Sequence, residues 1–95
     1  MRERHPCVYI MASGRHGTIY IGVTSDLMAR VHQHREGLTG GFTRCYGVKR
    51  LVFHQTHASM EAAITRKRDW KIALIEKENR CWEDWAVRLG FRPLP

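Results

Sequence analysis

The fold of this chain is decided by residues 7–24, CVYIMASGRHGTIYIGVT, in which two β-type runs flank a small polar stretch. Each run has one tyrosine, Tyr9 or Tyr20, and the glycine-bearing stretch between them is typical of a β-hairpin loop. A loop of residues 13–16 would place Tyr9 opposite Tyr20. Strand alternation then puts both tyrosines and Gly22 on one face and the aliphatic side chains on the other, in the core. Paired aromatic residues are also ordinary sheet stabilisers. The hairpin alone therefore does not decide whether the two tyrosines serve packing or chemistry.

The composition describes one small basic domain. The chain has 95 residues with 16 Lys and Arg against nine Asp and Glu, a formal charge of +7. Residues 1–75 hold 12 basic and five acidic side chains, whereas residues 76–95 hold four of each. Such a surface favours a polyanionic partner, nucleic acid first, although a small protein can also be basic for solubility alone. We expect a single domain over residues 1–95, with its core at about 7–85 and a loose tail at 90–95.

The cysteine count and the hydropathy bear on location. Three cysteines without a C-x-x-C pair predict reduced thiols. No apolar run approaches a membrane-spanning length, and residues 1–6 lack the apolar region of a signal peptide. We therefore expect a cytoplasmic protein with no membrane partner.

The segment after the hairpin predicts a helix and then a third strand. Residues 24–26, TSD, offer capping side chains for an amphipathic helix that ends near Gly37. Arg30 and His34 are four residues apart, so they share one edge of this helix. Residues 48–54, VKRLVFH, are rich in strand-forming side chains and predict the third strand.

A second helical region begins at Ser59, a plausible N-cap, and continues to about residue 78. Its apolar spacing would place Lys67 and Lys71 near the middle of the apolar stripe. Burial of an unpaired ammonium is costly. Either the helix breaks between Arg66 and Trp70, or the two lysines face a cleft. A last short helix is expected over residues 81–87, with its tryptophans capping the core.

These segments form an ordered set of motifs. The motifs Val8-Tyr9 and Tyr20-Ile21-Gly22 are followed by Arg30, eight residues after Gly22, and by His34 one helical turn after that. Further along come FTRCY (42–46), KRLVF (49–53), SMEAAITR (59–66) and WKIALIE (70–76). In spacing and order the set resembles the GIY-YIG nuclease superfamily, in its small stand-alone bacterial branch, over residues 7 to about 85. The first motif reads CVY here in place of GIY. The resemblance implies an α+β fold with a small three-stranded antiparallel sheet flanked by helices.

The resemblance also implies an activity, the cleavage of phosphodiester bonds assisted by one divalent ion, Mg²⁺ or Mn²⁺. It assigns Tyr20 to deprotonation of the attacking water and Tyr9 to hydrogen-bonding support. Arg30 would hold the scissile phosphate, and His34 would contact the phosphate or Tyr20. A base and a cation over the developing charge are what attack on a phosphate requires. These four residues are the candidate catalytic set.

Further contacts with the nucleic acid, DNA first, are expected from basic, polar and aromatic residues near this cleft. They are Arg35, Thr43, Arg44, Tyr46, Lys49, Arg66 and Lys67.

One family residue is replaced. In the family a glutamate on the helix after the third strand binds the metal, and the matching position here is Lys67. Hard cations need oxygen ligands, which a lysine cannot supply. Glu61 lies about 9 Å along a helix and about 240° round it from that position, so it does not substitute. The metal ligand therefore stays unassigned.

Three functional hypotheses remain open at this point. The first is a metal-dependent endonuclease. The second is a domain that binds nucleic acid without cleaving it, because Lys67 replaces the metal-binding glutamate. The third is a protein-interaction or purely structural domain that uses the aromatic C-terminal segment, and only the motif match argues against it.

Overall fold

The computed structural model describes residues 5–38, 41, 45–70 and 72–94. Two predicted nucleic-acid contacts, Thr43 and Arg44, lie outside these ranges, and so does Lys71. Within them the chain forms β1 (Cys7–Ala12), β2 (Ile19–Thr24), α1 (Leu27–Arg35), β3 (Arg50–Thr56), α2 (Met60–Arg68), α3 (Ile72–Glu78) and a 3₁₀ helix (Trp85–Leu89). The strands form one antiparallel sheet in the order β2-β1-β3, with β1 in the centre. The predicted α+β fold, a three-stranded antiparallel sheet with flanking helices, is confirmed.

The β1–β2 hairpin has the predicted faces but a different register. Tyr9 pairs with Gly22, and Tyr20 pairs with Met11, two positions from the expected partner. The reason lies in the loop. The backbone N–H of Ser13 donates to the carbonyl of Thr18 at 2.9 Å, and the Ser13 hydroxyl accepts from the Thr18 N–H at 2.9 Å. The loop is therefore longer than expected, and the predicted pairing of Tyr9 with Tyr20 is wrong. A shift by two residues leaves every side chain on its predicted face.

Both faces of the sheet are covered. The aliphatic face carries Val8, Ile10, Ile19, Ile21 and Val23, and it packs against Ile75 of α3 and against Trp82. The tyrosine face carries Tyr9, Met11 and Tyr20, and it packs against Val31 of α1 and Ala86 of the 3₁₀ helix. All six residues of β1 are buried. The central strand thus lies between two cores, and α1 lies directly over the tyrosines.

Helix α1 begins and ends where the sequence predicts. The Asp26 carboxylate caps it by accepting from the Ala29 N–H at 3.2 Å. The chain leaves the helix through Gly37, whose φ of +70° is the left-handed conformation that glycine adopts readily. The third strand begins at Arg50, two residues later than predicted, and a bulge opposite Ile10 and Met11 leaves Val52 as the extra residue.

The second helical region is broken. Helix α2 ends at Arg68, Asp69 follows as its C-cap, and α3 begins at Ile72. The first of the two sequence alternatives is therefore the one that the structure has. Trp70, between the helices, packs against the core of the aliphatic face. Lys67 is exposed, so its ammonium is not desolvated.

The C-terminal segment, residues 79–94, packs on the tyrosine face together with α1. The predicted short helix lies slightly later, at residues 85–89. Buried Asn79 fixes the preceding turn, since its side-chain amide donates to the carbonyls of Val52 at 3.0 Å and Glu83 at 2.8 Å. Phe91, within the segment expected to be a loose tail, packs against the core of the tyrosine face. None of the described helices is long and apolar enough to cross a lipid bilayer.

Candidate active site

The site is built around Tyr9 at the centre of the sheet. Its ring lies across Gly22, its partner on β2, and Tyr9 has no solvent exposure. A Cβ atom on Gly22 would stand 2.5 Å from both Cζ and Oη of Tyr9. Carbon atoms in contact normally lie 3.5–4.0 Å apart. Only glycine therefore allows the phenol to occupy this position, on the face where the sequence placed Gly22 with both tyrosines.

Helix α1 brings His34 onto Tyr9. The His34 Nε2 atom lies 3.0 Å from the Tyr9 hydroxyl oxygen, within hydrogen-bond distance. Tyr20, on the same face, places its ring centroid 5.2 Å from that of His34 and 6.2 Å from that of Tyr9. His34 is buried, whereas Tyr20 is half-buried. The three rings therefore form one cluster, in which Tyr20 is the member with access to solvent.

Arg30 lies one helical turn before His34 and is half-buried. Its guanidinium donates from Nη1 to the side-chain oxygen of Gln33 at 3.1 Å. The charge acts on the ring cluster, since Arg30 helps to lower the pKa of His34 and opposes the rise in the pKa of Tyr9. Arg30, His34, Tyr9 and Tyr20 are thus brought together, as the predicted catalytic set requires.

The electrostatics keep the buried pair neutral. Burial raises the pKa of Tyr9 well above its ordinary value, and the neighbouring Tyr20 adds to that rise. Burial and the Arg30 charge both lower the pKa of His34. At neutral pH Tyr9 is a phenol and His34 an uncharged imidazole. The phenol donates to Nε2 when His34 carries its proton on Nδ1, and it accepts when the proton is on Nε2.

The chain matches a known protein family over most of its length. The sequence model of the GIY-YIG catalytic domain matches residues 5–83. This chain belongs to the GIY-YIG family. It is 36% identical over 90 residues to the UPF0213 protein ORF82 of Orgyia pseudotsugata multicapsid polyhedrosis virus, an alignment that covers 83% of this chain and 84% of the viral protein. It is 30% identical over 78 residues to a UPF0213 protein of Streptococcus sanguinis strain SK36, covering 82% of this chain and 83% of the relative. No solved structure gives a significant match.

Arg35, predicted to contact nucleic acid, has structural partners in this GIY-YIG domain. Its Nη1 donates to Asp84 at 2.6 Å, its Nη2 donates to the carbonyl of Arg92, and its guanidinium lies 5.6 Å from the centroid of the Phe91 ring. The Arg35 side chain is only 8% exposed. The structure therefore places Arg35 in an ion pair that joins α1 to the C-terminal segment, whereas the sequence prediction had it open to a phosphate.

The remaining predicted contacts lie at several places on the surface. Tyr46 and Lys49 are exposed, and so is Lys67. Arg66 donates from Nε to the side-chain oxygen of Gln55 at 3.1 Å. Gln55 pairs with Val8 on β1, so Arg66 lies on the aliphatic side of the sheet and not on the tyrosine side.

Two residues of this region were missed by the sequence reasoning. Gln33 was detectable, because it lies three residues after Arg30 on a predicted helix and such residues are neighbours on the helix surface. Asp84 was not, because its contact with Arg35 spans 49 residues of chain. Asp84 also accepts from the backbone N–H groups of Leu51 and Ala86, each at 3.1 Å. It thereby joins α1, β3 and the 3₁₀ helix.

The described residues do not fit the divalent ion that GIY-YIG membership implies. Lys67 occupies the position that the resemblance assigns to a metal-binding glutamate. No group of three or more His, Cys, Asp and Glu side chains within the described ranges is arranged to hold a metal ion. The cations Mg²⁺ and Mn²⁺ prefer oxygen ligands, and the ring cluster offers phenols and an imidazole.

Proposed function

We propose that this GIY-YIG domain is an endonuclease that hydrolyses phosphodiester bonds in DNA. Family membership supports a nuclease assignment. The observation that carries the proposal further is the hydrogen-bonded pair of Tyr9 and His34, 3.0 Å apart, with Tyr20 and Arg30 beside it. This combination of two phenols, an imidazole and a cation is suited to phosphate chemistry.

The proposed roles follow from burial. Tyr20, which is half-buried and open to solvent, passes its phenolic proton to solvent as its oxygen accepts a proton from the water that attacks phosphorus. Arg30 stabilises the negative charge that develops on the phosphate oxygens as the new P–O bond forms and the bond to the leaving oxygen breaks. The leaving oxygen takes its proton from solvent. Tyr9 and His34, both buried, orient Tyr20 from beneath and exclude water on that side.

DNA is the proposed substrate because of the charge of the chain. The formal charge of +7 gives a field that attracts a phosphate backbone. Exposed Lys49, Lys67 and Tyr46 supply candidate contacts outside the ring cluster, and Thr43 and Arg44 stay in the proposal on the sequence pattern alone. A cytoplasmic location belongs to the same proposal, since all three cysteines are free thiols.

The test is a cleavage assay with labelled single- and double-stranded DNA in Mg²⁺, in Mn²⁺ and in a chelator. Wild-type protein is expected to cleave, and Tyr20→Phe and Arg30→Ala are expected to lose most of the activity, since each removes one proposed chemical role. Arg80→Ala is the matched control, because it removes an exposed cation that has no role in the site. Cleavage that persists in Tyr20→Phe and Arg30→Ala would refute the proposal. Divalent ions are a variable of this assay, because the described residues supply no ligand set for one.

Lys67 supports a second candidate function, binding of nucleic acid without cleavage. An exposed ammonium at the position of the family glutamate can pair with a phosphate directly. Under this candidate the wild type binds DNA, the affinity falls as salt rises, and no cleavage occurs in any metal. Lys67→Glu separates the two candidates further. If the missing carboxylate is the only defect, this substitution raises metal affinity and produces cleavage.

A further inference from the structure

Gln33 lies on α1 between Arg30 and His34 and has no role assigned so far. It is half-buried, and its side-chain oxygen accepts a hydrogen bond from the Arg30 guanidinium at 3.1 Å. Residues three apart on a helix are neighbours, so this contact needs no distortion of α1. An arginine side chain has many rotamers and loses conformational entropy when it is fixed, which costs free energy. A partner that fixes it before substrate arrives removes that cost from binding.

The direction in which the guanidinium is held matters for the site. The Arg30 charge lowers the pKa of His34 and opposes the rise in the pKa of Tyr9, so the guanidinium lies close enough to act on both. An arginine extended into solvent would have its field screened before it reached these rings. Arg30 is also half-buried and lies one helical turn before His34, so the contact with Gln33 fixes the cation on the edge of α1 that packs on the ring cluster.

The neutral character of the amide matters as much as its position. Helix α1 carries a second arginine, Arg35, whose guanidinium lies 2.6 Å from the Asp84 carboxylate and is neutralised by it. Arg30 is held by an amide oxygen instead. An amide orients a guanidinium without cancelling its charge, whereas a carboxylate does both. Arg30 therefore keeps a full positive charge for an anionic ligand.

We propose that Gln33 is a positioning residue, which holds the Arg30 guanidinium towards the Tyr9–His34 pair and leaves its charge available for a phosphate. The inference rests on the proposed role of Arg30 in phosphodiester hydrolysis. It adds a residue that does not itself touch the substrate and that acts only through the orientation and charge of Arg30.

The experiment follows His34 by NMR titration of its imidazole and follows cleavage by steady-state kinetics. Gln33→Met keeps the side-chain length but removes the acceptor, so the guanidinium turns away. The midpoint of the His34 titration is expected to rise towards its ordinary value, and kcat is expected to fall by about tenfold to a hundredfold, the usual result of misplacing a catalytic group. Gln33→Glu keeps an acceptor but neutralises the Arg30 cation. The His34 midpoint is therefore expected to rise in this variant too, and KM for DNA is expected to rise.

Gln55→Met is the matched control. The Gln55 side-chain oxygen accepts from Arg66 at the same distance, 3.1 Å, on the other side of the sheet, so its loss is expected to leave the His34 titration unchanged. An unaltered His34 midpoint in both Gln33→Met and Gln33→Glu would overturn the inference, even if the wild type cleaves DNA. If the His34 midpoint shifts in the Gln33 variants but the wild-type protein never cleaves DNA, the positioning of Arg30 is supported and the nuclease function is refuted. The two failures are therefore distinguishable.

Discussion

Replacing Gly22 with alanine tests the contact on which the candidate active site is built. The added methyl group would stand 2.5 Å from Cζ and Oη of Tyr9 and 2.7 Å from Cε1. A normal contact needs about 3.5 Å or more, so the ring must withdraw by about 1 Å. Tyr9 is completely buried, and its hydroxyl lies 3.0 Å from His34 Nε2. Withdrawal by that distance strains the packing and breaks this hydrogen bond.

The expected cost combines two effects. Overpacking of a close-packed interior costs about 1–3 kcal/mol, and an unsatisfied buried polar group costs about 1–3 kcal/mol more. We expect Gly22→Ala to lower the free energy of unfolding by about 3 kcal/mol and the melting temperature by roughly 15 °C. Urea and thermal unfolding, followed by circular dichroism, measure both quantities. Gly14→Ala is the control, because a Cβ there meets nothing within 4 Å.

The same substitution in a Tyr9→Leu background tests whether the Tyr9 ring causes the loss of stability. The three atoms nearest to the new methyl all belong to the outer part of the tyrosine side chain, which leucine lacks. In a Tyr9→Leu background, Gly22→Ala is therefore expected to cost less than about 0.5 kcal/mol, or to stabilise the strand slightly. An equal loss in both backgrounds would refute the reasoning, because the cost would then come from the β2 backbone and not from the ring.

Three further predictions concern other parts of the molecule. Arg35→Met leaves the Asp84 carboxylate without its cation in a pair whose side chains are 8% and 13% exposed, and should lower the free energy of unfolding by about 3 kcal/mol. The same change at Arg88, whose ion pair is exposed, should cost less than about 1 kcal/mol, and equal losses would contradict this account. Burial raises the pKa of the Cys7 thiol to about 11, so a thiol reagent at pH 8 should modify two cysteines of the native protein and all three only in denaturant; rapid modification of Cys7 would show that β1 opens. The pKa of His34 lies below its ordinary 6.5 in the folded state, so the unfolded chain binds the proton first. The contribution of His34 to the free energy of unfolding should therefore be greatest above about pH 6.5 and fall towards acid by at most about 1.4 kcal/mol per pH unit, and urea titrations that give the same slope in His34→Gln would exclude this residue as a cause.

The sequence predicted the faces of the hairpin more reliably than its register. Alternation keeps Tyr9 and Tyr20 on one face for every loop length that changes the register by an even number of residues. The loop length itself depends on hydrogen bonds between Ser13 and Thr18, which no hydrophobic pattern reveals. The same alternation placed Gly22 on the tyrosine face, and the residue that lies against it is Tyr9.

The helices divide in the same way between local and distant causes. The ends of α1 were predictable because Asp26 and Gly37 act on neighbouring residues. The break after Arg68 was one of two open alternatives, since two short helices can show the same apolar spacing as one long helix. The burial of Arg35 was not predictable, because its partner Asp84 is brought to it only by the complete fold.

The central position of β1 makes the protein prone to aggregate while it folds. Its six residues, CVYIMA, carry no charge, no proline and no glycine, and all six are buried between β2 and β3. β2 follows β1 closely in the chain and can pair early, whereas β3 joins only after α1 and the segment that follows it. Until β3 arrives, one edge of an apolar strand is open to pairing with another molecule. Refolding yield should therefore fall with protein concentration, and aggregates should form through β1.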